Sequence, residues 1–262
     1  MNICLFTESE ISQPLAKHDE RREHIVKVLH KGVGDTFDAG IIGGKAGRAT
    51  ITKIVPKGGE GEGDLYFNFL PQSDGKALYP LTMIIGFPRP IQLRRLLRDV
   101  AGLGVCTVHL TGTELGDKSY LKSTMVETGA AYQMLLDGTE QAASTHVPEL
   151  HMHATLMECL EAVQKENGAQ NKVMQIALDN IRPAMSLHDF LYGSHATEQE
   201  EAAVCRPVVA AIGSERGWTD RERNLLEQSG YTRCGMGLRV LRTETAATVA
   251  GAIILDAMGN LR

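Results

Sequence analysis

From residue 81 onward, uninterrupted apolar runs alternate with helical segments, and this alternation constrains the fold more than any other feature. The runs are "LTMIIGF", "VCTVHL", "NKVMQIAL" and "RPVVAAIG", and helical patterns such as "ATLMECLEAVQKE" lie between them. Strands that are apolar along their whole length are typical of a parallel sheet whose two faces are covered by helices. The sequence therefore predicts an α/β domain built around a mostly parallel sheet.

Two of the predicted helices carry clear start and end signals. Pro90 opens the first helix, which Gly102 or Gly104 ends. One face of this helix is apolar and consists of Ile91, Leu93, Leu96, Leu97 and Val100. In the second helix, Thr219 and Glu222 form a capping box, and Gly230 follows the last turn. Both helices are expected to pack on the sheet.

The first third of the chain has a different pattern, with short β-like runs in place of the alternating strands and helices. After the helical segment "DERREHIVKVLH", residues 31–70 contain short β-like runs separated by glycine-rich turns such as "PKGGEGEGD". This pattern predicts a small β-rich domain that closes into a compact barrel. The stretch "LPQSDGKALYP", near residues 71–80, is the expected linker. We therefore predict a β-barrel domain over residues 1–72 and an α/β domain over residues 73–262.

Composition narrows the class of protein. No apolar run approaches the ~18–20 residues that span a bilayer, and no secretory signal is visible at the N-terminus, so no membrane association is expected. The five cysteines are scattered without a CxxC pair, which favours reduced thiols and a cytoplasmic location. A net charge of −5 argues against a globally basic nucleic-acid binder but leaves room for local arginine clusters.

Two glycine-bearing loops are the candidate ligand sites. In a parallel α/β sheet, ligands bind beyond the carboxyl ends of the strands. One candidate loop is "AIGSERGW", in which Gly213 and Gly217 flank Glu215, and the other is "GMGLRVLRTETA". Neither matches GxGxxG or a phosphate-binding P-loop, so the sequence gives little support to a nucleotide-phosphate site.

The second loop is unusual because two arginines and a glutamate stand where a loop enters an apolar helix. One interpretation is a buried helix capped by Thr243 or Thr245, with an Arg–Glu pair at its start. The other is a working site, since buried charge costs several kcal/mol unless it is well paired. His151 and His153 could be two metal ligands on one side of a strand, but the sequence offers no convincing third ligand. No metal is therefore predicted.

The tail motif and its preceding loop resemble those of a known family. "LRVLRTETA" after Met236-Gly237, about twenty residues beyond a Gly-x-Glu-x-Gly loop, resembles the family's "LGxRILRTETA" and "GPEGG". "HIVKVLH…GD", "LRDVAGLGV" and "EQAASTHVPEL" match further family segments in the same order. On these residues the chain resembles the RsmE family, the SPOUT-superfamily methyltransferases that modify N3 of a uridine in small-subunit ribosomal RNA.

The resemblance implies a fold, a cofactor and an assembly. It implies a PUA-like N-terminal β-barrel that helps hold RNA and a C-terminal α/β domain with a deep trefoil knot. Family members are homodimers that bind S-adenosylmethionine in the knot. Carried over by motif, the cofactor-binding residues are Leu187, Gly213, Met236, Gly237, Leu238 and Leu241.

The resemblance also implies roles for the charged residues. Arg242 would meet the uridine or its phosphate, and Glu244 would hold that arginine in position. Arg22, Arg239 and Arg242 are the expected RNA contacts. The implied partner is small-subunit ribosomal RNA or its assembling particle.

This sequence departs from the family pattern in the first glycine loop. Ser214 replaces a proline and Arg216 replaces a glycine, and an arginine would strain the backbone if that position had a positive φ. Two alternatives to a methyltransferase therefore stay open. One is a catalytically retired RNA-binding or ribosome-assembly protein of the same fold. The other is a small-molecule binder that keeps the cofactor pocket without RNA.

Overall fold

The computed structural model divides the chain into two compact units. It describes residues 1–120, 129–168, 173–193 and 206–261. The first unit is Met1–Ala77 with Thr139–Val147, and the second is Leu78–Gly138 with Pro148–Arg262. The first unit thus includes residues 139–147 from the middle of the chain, whereas the predicted division between residues 72 and 73 assigns them to the second domain. The division into residues 1–72 and 73–262 stays a proposal.

The first unit contains an open four-stranded sheet. Its strands are β1 (Cys4–Phe6), β2 (Thr36–Ile41), β3 (Ala46–Ile54) and β4 (Leu65–Ser73), in that order across the sheet. β1 runs parallel to β2, and the remaining pairs are antiparallel. Because β1 and β4 form the two edges of the described sheet, the predicted closed barrel is wrong. Short β-runs between glycine turns predict strands, but they do not determine whether the two edge strands meet.

A short helical region covers one part of this sheet. It consists of α1 (Glu20–Glu23) and a π-helical turn, His24–Val28, where the sequence predicts one continuous helix. Asp19 caps α1 by accepting a hydrogen bond from the backbone N–H of Arg21. Ile25 from the π-helical turn is fully buried among apolar residues of the sheet, which include Phe6, Phe37, Ala49, Ile51 and Leu65.

The returning segment 139–147 is held in the first unit by hydrogen bonds to the turn that follows β2. The amide of Gly43 donates to the carbonyl of Thr145 at 2.7 Å, and the Thr145 hydroxyl donates to the carbonyl of Gly44 at 2.7 Å. The absence of a side chain at Gly40 allows this approach, since a Cβ there would lie 2.4 Å from Thr145 Cγ2. The fold of the first unit therefore depends on residues that are distant in sequence.

The second unit is built on a seven-stranded sheet. Its strands are β5 (Tyr79–Gly86), β6 (Val105–Thr111), β7 (Glu149–His153), β8 (Met174–Leu178), β9 (Met185–Ser186), β10 (Val208–Ile212) and β11 (Thr232–Gly235). Their order is β7-β6-β5-β10-β8-β11-β9, and every neighbouring pair is parallel. The predicted α/β domain with a parallel sheet is confirmed. The first two residues of the predicted run 171–178 lie outside the described residues, as does Cys205.

Helices cover both faces of this sheet. The helices that follow the short helical region of the first unit are α2 (Pro90–Leu103), α3 (Ala130–Gln141), α4 (Leu156–Asn167), α5 (Leu187–Tyr192), α6 (Asp220–Gln228) and α7 (Thr243–Ala257). Of these, α3 packs on α2, since a Cβ added to Gly138 would lie 2.3 Å from the carbonyl of Arg98. On one face, α7 packs closely, since a Cβ added to Gly251 would lie 2.7 Å from Met83. On the other face, Ile84 packs with Leu160 of α4 and Leu226 of α6. Successive strand residues such as Met83 and Ile84 point to opposite faces, so both are buried.

The predicted helix signals are confirmed with one exception. α2 begins at Pro90, and Gly104 follows it with a left-handed φ of 80°. Four of its apolar residues are buried, but Ile91 is 80% exposed in the first turn, so its assignment to the apolar face is wrong. The capping box of Thr219 and Glu222 is present at the start of α6. None of the described helices is both long and apolar enough to cross a membrane.

Candidate active site

The loops that follow three neighbouring parallel strands, β8, β10 and β11, enclose a pocket of about 220 Å³. The carboxyl ends of these strands meet at one edge of the sheet, where ligands bind in open α/β folds. The pocket is lined by Leu178, Asp179, Asn180, Ile181, Ile212, Gly213, Ser214, Glu215, Arg216, Gly217, Trp218, Cys234, Met236, Gly237, Arg239, Val240, Leu241, Thr243 and Ala246. Both glycine-bearing loops predicted as ligand sites therefore line the same pocket.

The wall formed by the first loop is tightly packed. A Cβ added to Gly213 would lie 3.1 Å from the backbone of Gly217 and 3.3 Å from the ring of Trp218. The indole N–H of Trp218 donates to the carbonyl of Leu178 at 3.0 Å and so ties this loop to the end of β8. The absence of a side chain at position 213 therefore lets the two parts of the loop pack this closely.

The departure from the family pattern at Arg216 does not strain the loop. Gly217 is the residue with a left-handed φ, at 71°, whereas Arg216 has an ordinary negative φ. The arginine side chain is exposed and forms part of the pocket rim. Ser214 stabilises the turn, because its carbonyl accepts from Gly217 N–H at 2.8 Å and its hydroxyl accepts from Thr113 at 2.9 Å. Arg216 would strain the backbone only with a positive φ, and it does not have one.

The structure brings together four of the six residues predicted to bind the cofactor. Gly213, Met236, Gly237 and Leu241 all line the pocket. Leu187 is buried at the start of α5, just after β9 pairs with β11, and does not line the pocket. Leu238 is fully exposed on the loop and is also not part of the lining.

The polar cluster at the start of α7 is divided between the pocket and the protein interior. Arg239 is exposed and lines the pocket, while Arg242 is exposed at the helix N-cap. Glu244 is only 5% exposed. No ion pair joins Arg242 to Glu244 in the part of the chain that the structure describes, so the expected pairing is not formed here. Both side chains remain proposed site residues.

Thr243 has a different role from the predicted one. Arg242, not a threonine, occupies the N-cap, and no side chain caps the helix. The buried Thr243 hydroxyl instead donates to the carbonyl of Gly213 at 3.3 Å. The threonine therefore connects the two glycine-bearing loops across the pocket.

The remaining predicted RNA contact lies in the first unit. Arg22 is half-buried in α1, and its Nε donates to the carbonyl of Gly63 at 2.9 Å. One edge of its guanidinium is therefore engaged within that unit.

Sequence reasoning missed an acidic residue that lines the pocket. The side chain of Asp179 is 1% exposed, and its Oδ2 lies 2.7 Å from Arg223 Nε and 3.2 Å from Arg233 Nη1. Its Oδ1 accepts from the backbone N–H of Ile181 at 3.0 Å. Hydrogen bonding to Asp179 raises the pKa of Arg223. The sequence did contain a signal for this residue, because Asp179 directly follows the apolar strand β8. It was missed because the candidate loops were chosen by their glycines, as in "GSERG" and "GMG", and the loop after β8 has none next to Asp179.

Comparisons with known proteins identify the family. The family model described as "RNA methyltransferase domain" matches residues 76–255. Ribosomal RNA small subunit methyltransferase E of Treponema pallidum is 39% identical over 97% of this chain and 91% of its own length. Ribosomal RNA small subunit methyltransferase E 1 of Borreliella burgdorferi is 31% identical over the full length of both chains.

A solved structure has the same fold. It is a ribosomal RNA small subunit methyltransferase E from Neisseria gonorrhoeae bound to S-adenosyl methionine, with a TM-score of 0.72 and 19% identity. The match covers 98% of this chain and 97% of that one. Together with the sequence relatives, the match to the RNA methyltransferase model means that this chain belongs to the ribosomal RNA small subunit methyltransferase E family.

Proposed function

We propose that this chain is an S-adenosylmethionine-dependent methyltransferase that methylates N3 of a uridine in small-subunit ribosomal RNA. The observation that carries the proposal is the single pocket formed by both glycine-bearing loops, with Arg239 in its lining and Arg242 beside it. Family membership supports the reaction class, and the tail motif "RVLRTETA" supports the choice of N3.

The residues of the pocket fit the proposed cofactor. Leu178, Ile212 and Leu241 provide apolar walls for the adenosine. The close backbone at Gly213 and the left-handed Gly237, with a φ of 96°, offer peptide groups for polar contacts. When bound, S-adenosylmethionine supplies a methyl group on a positively charged sulfur. Leu187 and Leu238 remain in the proposed cofactor set on the basis of the family motif alone.

The arginines at the start of α7 are proposed to bind the RNA and to favour the reaction. Uracil N3 carries a proton at neutral pH and becomes nucleophilic when that proton leaves. A guanidinium beside the ring stabilises the negative charge that develops, and we assign this role to Arg242. Arg239 and, in the first unit, Arg22 are proposed to contact RNA phosphates. Glu244 is proposed to hold Arg242 when RNA is present.

Further features of the family are part of the same proposal. We propose that the second unit contains a trefoil knot, which is supported by the resemblance of its tail motif "LRVLRTETA" to the family. A homodimer is supported by the exposed apolar side chains of Leu238 and Val240 at the pocket rim. A PUA-like role in RNA binding is proposed for the first unit. The free cysteines of the described residues favour a cytoplasmic location.

The test combines methyl transfer with identification of the product. The full chain is incubated with S-adenosylmethionine carrying a labelled methyl group and with small-subunit RNA that lacks the modification, and digested nucleosides are identified by mass spectrometry. The expected product is N3-methyluridine. A labelled nucleoside of another type would reject the proposed position. Binding of S-adenosylmethionine without methyl transfer to RNA or to small-subunit particles would instead support the catalytically retired alternative.

A further inference from the structure

Three histidines and a cysteine lie together at the far edge of the parallel sheet of the second unit. His109 of β6 is paired in register with His151 of β7, and His153 lies two residues further along β7. The same sheet face carries all three side chains, because alternate strand residues share a face. Helix α4 covers this face and adds the buried Cys159. The cluster lies on β6 and β7, whereas the cofactor pocket lies at the ends of β8, β10 and β11.

The distances within this cluster suit a metal ion. One ring nitrogen of His109, one of His153 and the sulfur of Cys159 all lie within 4.8 Å of one another. His109 Nδ1 and His153 Nε2 are 3.0 Å apart. In a tetrahedral zinc site the ligand nitrogens are about 3.3 Å apart and a nitrogen and a sulfur about 3.6 Å apart. Small side-chain rotations therefore bring the three atoms to ligand distances.

The surroundings of His109 match those of a metal-bound histidine. Its side chain is fully buried, and its Nε2 has no aligned hydrogen bond within the described ranges. Glu166 Oε2 lies 3.2 Å from this nitrogen, where a carboxylate can fix the orientation and tautomer of a ligand imidazole. The rings of His151 and His153 both stack against the His109 ring, with centroids 4.9 and 5.2 Å away.

A route from solvent to the cluster is also present. His153 is half-buried and lines a groove shared with Met152, Leu156 and Met157. A metal ion would therefore reach the cluster past His153, which lines this groove while His109 and Cys159 lie behind it in the buried interior. Two imidazoles and one thiolate form a ligand set that suits zinc better than magnesium or calcium, which prefer oxygen ligands.

We propose that His109, His153 and Cys159 bind one Zn²⁺ ion, which fastens helix α4 to the edge strands β6 and β7. The sequence predicts no metal because it places only His151 and His153 side by side. The fold supplies the missing ligands from an adjacent strand and from the covering helix. This site does not depend on the proposed methyl transfer.

The proposal is tested by metal binding to the full chain, produced without a histidine tag and stripped with a chelator. We expect one Zn²⁺ per chain in competition with a chromophoric chelator, with a Kd of about 1 μM or tighter. Substitution with Co²⁺ should give the charge-transfer absorption of a thiolate ligand. Zn²⁺ should also raise the Tm in proportion to the logarithm of its concentration.

Variants assign the ligands. C159S should abolish the thiolate absorption. H153A should weaken Zn²⁺ binding by more than the roughly 10–100-fold that is typical when a residue that only hydrogen-bonds to a metal ligand is lost. C159S changes a fully buried residue and could disturb the fold, so H153A, at a half-buried position, provides a second variant. Circular dichroism spectra recorded in the presence of chelator check that both variants are folded without metal. C106S is the matched control, because Cys106 lies on the opposite face of β6 from His109. The C106S variant should bind Zn²⁺ as tightly as the unmodified chain. Unchanged affinity in H153A and C159S, or no 1:1 binding in the unmodified chain, would overturn the proposal.

Discussion

The hydroxyl of Thr243 donates a hydrogen bond to the carbonyl of Gly213 across 3.3 Å, although 30 residues separate them. This bond connects the start of α7 to the loop after β10, and both residues line the pocket. The two loops therefore share one geometry, and a change at either residue is expected to affect ligand binding through the other.

Replacing Thr243 with valine tests this connection. The substitution keeps the shape but leaves the buried carbonyl of Gly213 without its donor, so we expect a loss of about 1–3 kcal/mol in unfolding free energy. S-adenosylmethionine should bind more weakly because the two loops are no longer tied. Urea denaturation and isothermal titration measure the two effects. Thr245→Val, in the same turn but exposed, is the control and should leave both quantities unchanged. Equal behaviour of the two variants would contradict the role of the bond.

Gly237→Ala is expected to weaken cofactor binding through the backbone. Gly237 has a φ of 96°, and a Cβ there meets nothing within 4 Å, so the cost is conformational and not steric. Left-handed conformations cost other residues about 1–2 kcal/mol, which corresponds to about tenfold weaker binding if the loop relaxes. Gly259, with a φ of 76° beyond the end of α7, is the matched control. Gly259→Ala should be strained in the same way but bind S-adenosylmethionine normally.

Arg242→Ala is expected to reduce methyl transfer without loss of stability. The side chain is exposed at the N-cap of α7, so its removal leaves no buried group unpaired. If Arg242 stabilises the developing uracil anion, kcat should fall by about 10²–10³, with S-adenosylmethionine affinity unchanged. Arg94→Ala makes the same change in charge on α2 and serves as the control. Full activity of the Arg242 variant in single-turnover assays would remove this residue from the reaction.

Asp179→Ala is expected to be the most destabilising of these changes. The substitution leaves Arg223 and Arg233 without their shared buried carboxylate, and breaking a buried pair typically costs about 3–5 kcal/mol. Asp220 also pairs with Arg223, at 2.8 Å, but its side chain is 96% exposed. Asp220→Ala should therefore cost less than about 1 kcal/mol. Similar unfolding midpoints for the two variants would show that burial does not govern this network.

Acid is expected to weaken the first unit through Glu10. A hydrogen bond from the Thr7 N–H, together with Arg21, lowers the pKa of Glu10 from 4.5 to about 2. A lowered pKa in the folded state gives stability that is present above pH 4.5 and is lost as the pH falls toward 2. Because the side chain is 42% exposed, the effect should stay below about 1 kcal/mol. Denaturation of the full chain at about pH 5 and about pH 3 measures it. Glu10→Gln should make the pH dependence shallower, and an unchanged slope would contradict the assignment.

The sequence by itself determined the parallel α/β sheet, the start of α2 at Pro90, and the capping box of α6, and it limited the end of α2 to Gly102 or Gly104. These features depend on local rules, namely apolar runs, proline and glycine conformations, and hydrogen bonds within one turn. It also predicted the two glycine-bearing loops as candidate ligand sites, since ligands bind at the carboxyl ends of parallel strands, and both loops line one pocket.

Only the tertiary structure decided which distant residues meet. Asp179 lines the pocket beside Gly213 because β8 and β10 are neighbours in the sheet, and strand order is not written in any local pattern. The open sheet of the first unit, the return of residues 139–147 to it, and the meeting of His109 with His153 and Cys159 have the same origin. Each depends on long-range pairing and packing, for which the sequence gives the participating residues but not their partners.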